Sequence, residues 1–102
     1  MTIKLLAFVR RRNDVSPAEF HAHWRDRHGP LIRDTPELAR HVRRYEQNHR
    51  LDADYERERG ALERDSGDFD GVAVQWFDSL DGFRAFVAEP AMAEVFADEQ
   101  RF

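Results

Sequence analysis

The apolar positions of this chain fall into short periodic segments separated by polar stretches. Ile3 to Arg10 reads I-K-L-L-A-F-V-R, a run rich in strand formers and bounded by Arg11, Arg12, Asn13 and Asp14, which predicts a first strand. Ser16-Pro17-Ala18-Glu19 then combines an N-cap serine, a proline at the first helical position and a glutamate placed to close a capping box. The helix opened there is predicted to run about three turns, to His28, with Gly29-Pro30 ending it. After Pro36, the alternation of His41 to His49 puts His41, Arg43, Tyr45, Gln47 and His49 on one strand face and Val42, Arg44, Glu46 and Asn48 on the other. Both faces are unusually polar. Residues 50–70, dense in Asp, Glu and Arg and broken by Gly60 and Gly67, predict a long solvated connection with a helical turn in its middle. Gly71 to Phe77 (G-V-A-V-Q-W-F) reads as the second strong strand. Ser79 caps a helix carrying Phe83, Phe86 and Val87, and Pro90 restarts a helical piece with Met92, Val95 and Phe96.

The order is β-α-β-β-α with an appended helix and no internal repeat, an α+β pattern for one domain spanning residues 1–102. A ferredoxin-like unit would finish with one more strand, of which only Gln100-Arg101-Phe102 could be a first fragment. At 102 residues there is room for one modest core. Hydrophobic residues at 41% and charged residues at 35% place the chain among globular proteins. Eight Phe, two Trp and two Tyr are enough both to centre a core and to line a cavity.

Charge and cysteine content narrow the chemistry. A formal net charge of −4 gives no general attraction to phosphate backbones, despite basic clusters at Arg10-Arg11-Arg12 and at Arg40, Arg43 and Arg44, so no nucleic-acid partner is expected. With no cysteine, disulfides, thiolate catalysis and thiolate metal sites are excluded. No apolar stretch resembles a signal peptide or reaches membrane-spanning length, and a cytoplasmic protein without membrane association is expected.

At about 100° per residue, Phe20, Trp24 and His28 share one face of the first helix. Imidazoles titrate in the physiological range, so an inward His28 beside an indole is a candidate general acid or base. The alternative is a core histidine bonded to carbonyls or to a neighbouring carboxylate. His21 and His23, two positions apart, project about 200° apart and cannot share one ion. No HExxH or EF-hand pattern occurs, and no metal site is expected. Tyr45, Gln47 and His49 form a polar row suited either to a wet cavity or to an exposed face or subunit contact. Gln75 is a polar intruder among Val72, Val74 and Trp76 that could look into the same space, and Phe8 and Trp24 are candidate apolar contacts for a ligand. Ser16 and Ser79 read as caps, Ser66 lies in the charged connection, and there is neither G-x-S-x-G nor a glycine-rich loop before a helix. Asp26 and Glu19 lie off the inward face and read as solvated.

The block Phe20-His21-Ala22-His23-Trp24-Arg25-Asp26-Arg27-His28-Gly29-Pro30-Leu31, preceded by Ser16-Pro17, resembles the signature of EthD-domain proteins. In that family a Trp is followed four residues later by His-Gly/Ala-Pro-Leu. Arg44-Tyr45-Glu46-Gln47-Asn48-His49 and the Trp76-Phe77-Asp78-Ser79 junction are also similar, so the resemblance spans nearly the whole chain. It implies a ferredoxin-like fold of the dimeric α+β barrel type, hence a homodimer, with helices on one face of an antiparallel sheet. It also implies a cofactor-free small-molecule protein. The wider superfamily includes polyketide cyclases, small monooxygenases, lactone isomerases and some haem enzymes; the EthD name comes from an ether-degradation operon, and members are often described as oxidoreductases. His28 matches the signature histidine of that family, and Tyr45, Gln47 and His49 match its usual polar strand; His28, Tyr45 and His49 are the catalytic candidates, and Trp24, Gln47, Gln75 and Phe8 the candidate ligand contacts. The expected activity is His acid/base cyclisation, dehydration or isomerisation of a small apolar carbonyl or aromatic compound; the alternative is a non-catalytic ligand-binding or accessory protein. The departure from the family is the missing last strand.

Overall fold

The computed structural model describes residues 2–58 and 69–102; Gly60, Ser66 and Gly67 lie outside the described residues. Three strands, β1 (Ile3–Val9), β2 (Arg44–His49) and β3 (Gly71–Phe77), form an antiparallel sheet in the order β1-β3-β2. The most apolar strand is central, as expected for the strand with a neighbour on each side. Register decides which residues meet: Leu5 and Tyr45 flank Gln75, Ala7 and Gln47 flank Ala73, and Val9 and His49 flank Gly71. Because side chains alternate along a strand, these rows share the face onto which the helices pack. Lys4, Leu6, Phe8, Arg44, Glu46, Asn48, Val72, Val74 and Trp76 take the other face. No helix covers that face among the described residues, and Leu6 and Phe8 are exposed on it.

The first helix differs from its sequence-based expectation. In α1 (Pro17–His23), the Ser16 hydroxyl oxygen accepts from the Glu19 N–H at 3.2 Å, one half of the capping box. Gly29-Pro30 then fails to stop the chain. Trp24–His28 forms a π-helical turn in which the Gly29 N–H reaches the Trp24 carbonyl five residues back, and α2 (Gly29–Arg33) follows directly. The physical reason is Pro30: it lacks an N–H and its ring collides with the carbonyl four residues back in a regular helix, and a wider turn absorbs both problems.

Thr35-Pro36 opens a short α3 (Pro36–Ala39) that the sequence reading missed, and β2 begins only at Arg44, so His41 and Arg43 precede the strand. A helix, α4 (Asp52–Glu58), opens the stretch 50–70 rather than standing in its middle, which lies outside the described residues. The Ser79 hydroxyl caps α5 (Leu80–Ala88) by accepting from the Gly82 N–H at 3.0 Å, and α6 (Met92–Glu99) follows Pro90.

Two apolar clusters join helices to sheet. One gathers Ile32, Leu38, Phe77, Phe86, Met92 and Val95; the other gathers Phe20, Trp24, Ala73 and Phe102. Among the described residues there is no fourth strand. Gln100 caps α6, the Phe102 carbonyl accepts from the Arg12 N–H at 2.7 Å, and the Phe102 ring packs against Phe20, His23 and His28. No helix of the described residues is long and apolar enough to cross a membrane.

Candidate functional site

Between the β1 side of the sheet and the helices lies a cavity of about 460 Å³. Its wall is mostly apolar, from Leu5, Ala7, Phe20, Trp24, Phe86 and Met92 among others, and its polar members include His28, Tyr45, Gln75 and Glu99. A largely apolar wall with a few converging polar groups is the usual composition of a small-molecule site.

The π turn delivers His28 to this wall, where the residue is 6% exposed. Its Nδ1 lies 2.8 Å from Oδ2 of Asp98 on α6, and Asp98 is itself buried. His23 Nε2 bonds the same carboxylate at 2.9 and 3.0 Å, and Arg101 donates to it at 3.2 Å. Burial alone would raise the Asp98 pKa, but hydrogen bonds from His28, His23 and Arg101 outweigh it and hold the carboxyl below its ordinary value. A carboxylate accepts only, so the Nδ1 facing it carries the proton. The neutral ring then has its lone pair on Nε2, for which there is no hydrogen-bond partner among the described residues. Next to Asp98 on the helix, Glu99 lines the cavity with a carboxyl pushed up by burial and by the Asp98 charge, with His28 acting in the opposite sense.

On the opposite wall, the Tyr45 hydroxyl accepts from Gln47 Nε2 at 2.9 Å. Burial raises the Tyr45 pKa, while the Gln47 and Trp24 side chains oppose that rise. Gln47 also donates to the Trp24 carbonyl at 2.8 Å, so it tacks β2 onto the π turn rather than lining the cavity. Gly29 makes room for it: a Cβ there would sit 2.8 Å from Gln47 Nε2.

His49 does not join His28. Its Nε2 faces Gln47 Oε1 at 2.8 Å, its ring lies against Trp24 at 4.5 Å, and its Nδ1 is 2.6 Å from Nδ1 of His21. His21 continues to the Tyr55 hydroxyl at 3.0 Å, which donates to Asp70 at 2.6 Å. Burial lowers the pKa of both imidazoles. Asp70 and Asp52 oppose this at His21, and at His49 the neighbouring His21 and Arg25 add to it. Phe8 is placed on the wrong side of the sheet for ligand contact in this cavity. It is 58% exposed on the open face beside Phe69, because even-numbered β1 positions point away from the helices.

The model of the EthD domain matches residues 12–102. The chain belongs to the EthD-domain family. The EthD fold is also seen in a crystal structure from Bacillus halodurans C-125 described as an ethyl tert-butyl ether d (EthD) family protein. It shares 19% identity at a TM-score of 0.67, covering 100% of this chain and 87% of that one. A dimeric ferredoxin-like protein of unknown function from Thermobifida fusca YX shares 21% identity at a TM-score of 0.61, covering 96% of this chain and 77% of that one. The architecture of this EthD domain is therefore ferredoxin-like α+β. No curated protein matches the chain.

Of the residues singled out from the sequence, the cavity of this EthD domain brings together His28, Trp24, Tyr45 and Gln75, and leaves Gln47 and His49 behind its wall and Phe8 outside. Asp98 and Glu99 were not singled out. A signal for Asp98 was present: Met92, Val95 and Asp98 recur at three-residue steps, which puts a carboxylate on the buried stripe of α6. Among the described residues no group of three or more His, Asp or Glu converges as a metal site.

Proposed function

We propose that this EthD domain binds a small, mostly apolar carbonyl or aromatic compound in the cavity and uses His28 as a general base and acid. The observation that carries this reading is the 2.8 Å contact between buried Asp98 and His28 Nδ1, on a ring that lines an apolar cavity. Asp98 fixes the tautomer, so Nε2 takes a proton from an acidified C–H or O–H of the ligand. The imidazolium that results is stabilised by the adjacent carboxylate. Tyr45 donates its O–H to the oxygen on which negative charge develops. The proton returns from Nε2 to another atom of the same molecule, so no net oxidation or reduction occurs. Enolisation-driven cyclisation, dehydration and isomerisation all follow this course.

The assembly proposed with it is a homodimer closed through the open sheet face. Leu6, Phe8 and Trp76 lie on that face, and Leu6 and Phe8 are strongly exposed there. The Thermobifida fusca protein with the similar fold is described as dimeric. An exposed apolar sheet face is a surface that association would cover.

A test independent of the natural substrate follows exchange of protons α to the carbonyl of aryl ketones in deuterated buffer by NMR. Wild-type protein is expected to accelerate exchange, and His28→Ala to abolish it while still binding the ketone. Exchange that survives unchanged in His28→Ala removes the role of this residue. Binding without exchange in the wild type leaves a ligand carrier instead.

A further inference from the structure

The mechanism above leaves one buried group on the cavity wall unused. Gln75 is only 9% exposed, it lines the cavity, and its Oε1 is buried with no hydrogen-bond partner among the described residues. A buried amide oxygen without a partner costs free energy comparable to a lost hydrogen bond, so a group that donates to it will be favoured. Directly across the β2–β3 register stands Tyr45.

The direction of the Tyr45 proton follows from its neighbours. The Trp24 carbonyl can only accept, so the end of the Gln47 amide that touches it is Nε2, and the same NH₂ group donates to the Tyr45 oxygen at 2.9 Å. Tyr45 therefore receives from Gln47 and keeps its own O–H to give, with no acceptor for it among the described residues. The Gln75 oxygen is itself out of contact with solvent, and a turn of its amide about the terminal side-chain bond presents it on the cavity wall beside the Tyr45 donor, the two residues being about 5 Å apart at Cβ. A single hydroxyl satisfies both: its oxygen accepts from Tyr45 and its proton goes to Gln75. A carbonyl or an ether accepts from Tyr45 but has no proton to give, and leaves the Gln75 oxygen unfilled.

We infer that the ligand of this cavity is a phenol or enol whose hydroxyl is held between Tyr45 and Gln75, with Gln75 as the residue that selects a free hydroxyl over its alkylated counterpart. This rests on the reading of the cavity as a ligand site and adds to it the class of ligand. It places the hydroxyl on the wall formed by β2 and β3, while His28 reaches the ligand from the helix side.

The experiment is calorimetric binding of 2-naphthol, 2-methoxynaphthalene and naphthalene to the full chain. The methyl ether keeps the accepting oxygen and loses the donated proton. Wild-type protein is expected to bind 2-naphthol about tenfold or more tightly than the ether. In Gln75→Leu the preference should shrink to within about twofold, because the unfilled acceptor is gone. In Tyr45→Phe both oxygenated probes should weaken together while their ratio persists. An ether bound as well as the naphthol overturns the inference, and so does a preference that Gln75→Leu leaves intact. If naphthalene binds and no preference for the hydroxyl exists, the ligand cavity stands and the phenol assignment fails. If none of the three binds, both fail.

Discussion

His28 and Asp98 lie seventy positions apart in the chain and are joined by a 2.8 Å contact between Nδ1 and Oδ2. One comes from a π-helical turn and the other from the last turn of α6. The contact therefore couples the backbone irregularity of the first helix to the C-terminal helix across the cavity.

Asp98→Asn tests that coupling directly. The amide keeps the shape of the side chain but can present N–H to Nδ1, which turns the imidazole to the wrong tautomer. Proton exchange on a bound ketone is expected to fall by about a hundredfold or more with ligand affinity little changed. The same carboxyl also shapes acid stability. Its folded pKa lies below the ordinary 3.8, so its contribution is present above pH 3.8 and is lost as pH falls through the folded value. Acid unfolding monitored by circular dichroism should lose part of its pH dependence in that low window in the variant.

The His21–His49 pair predicts a second pH dependence at higher pH. With the two Nδ1 atoms 2.6 Å apart, protonating both rings would set two N–H groups head to head. Burial lowers both pKa values below 6.5, so the unfolded chain binds protons that the folded pair resists. Stability from this source is present above pH 6.5 and declines as pH drops below it until the folded pair itself titrates. Urea titrations across this range should show that decline in the wild type, and a flatter profile in His49→Phe.

Gly71 is required by contact rather than by backbone angle. A Cβ there would meet Trp24 Cζ3 at 2.5 Å and the Asn48 carbonyl at 2.6 Å. The second of these is strand backbone that cannot step aside. Gly71→Ala is expected to cost about 2–3 kcal/mol and to lower Tm by about 10–20 °C, measured by thermal denaturation. A variant as stable as wild type would mean that the indole does not lie over this glycine.

Phe8→Glu tests the proposed dimer without touching the cavity. Phe8 lies on the open face, so the charge should leave the fold and ligand binding intact while shifting light-scattering mass from two chains to one. A wild-type protein that is already monomeric at micromolar concentration removes the premise.

Much of this could be read from residue order, and the exceptions have identifiable causes. Ser16-Pro17 and Ser79 announced their helices because capping is local chemistry, and G-V-A-V-Q-W-F announced the central strand. The inward aim of Phe20, Trp24 and His28 followed from spacing, and all three are buried. The face taken by Phe8 is not legible in the sequence because I-K-L-L-A-F-V-R is apolar at both parities, so nothing in β1 itself says which set faces the helices. Register against β3 decides that, and register is a property of the pairing. His49 is a different case: its strand face follows from the alternation, but the contacts of its imidazole with His21 and an indole are arranged only by the packing of α1 on β2. Asp98 needed a partner seventy residues away to distinguish it from any acidic residue near the end of a helix.

The widened turn at Trp24–His28 carries a consequence for how this centre could change. Relative to an ordinary helix it holds one residue too many, and each residue swings a side chain by about 100° around the axis. The bearing of the imidazole is thus stored as a count of amino acids in the main chain. Exchanging side chains leaves that bearing alone, whereas shortening the segment by a single position would redirect it.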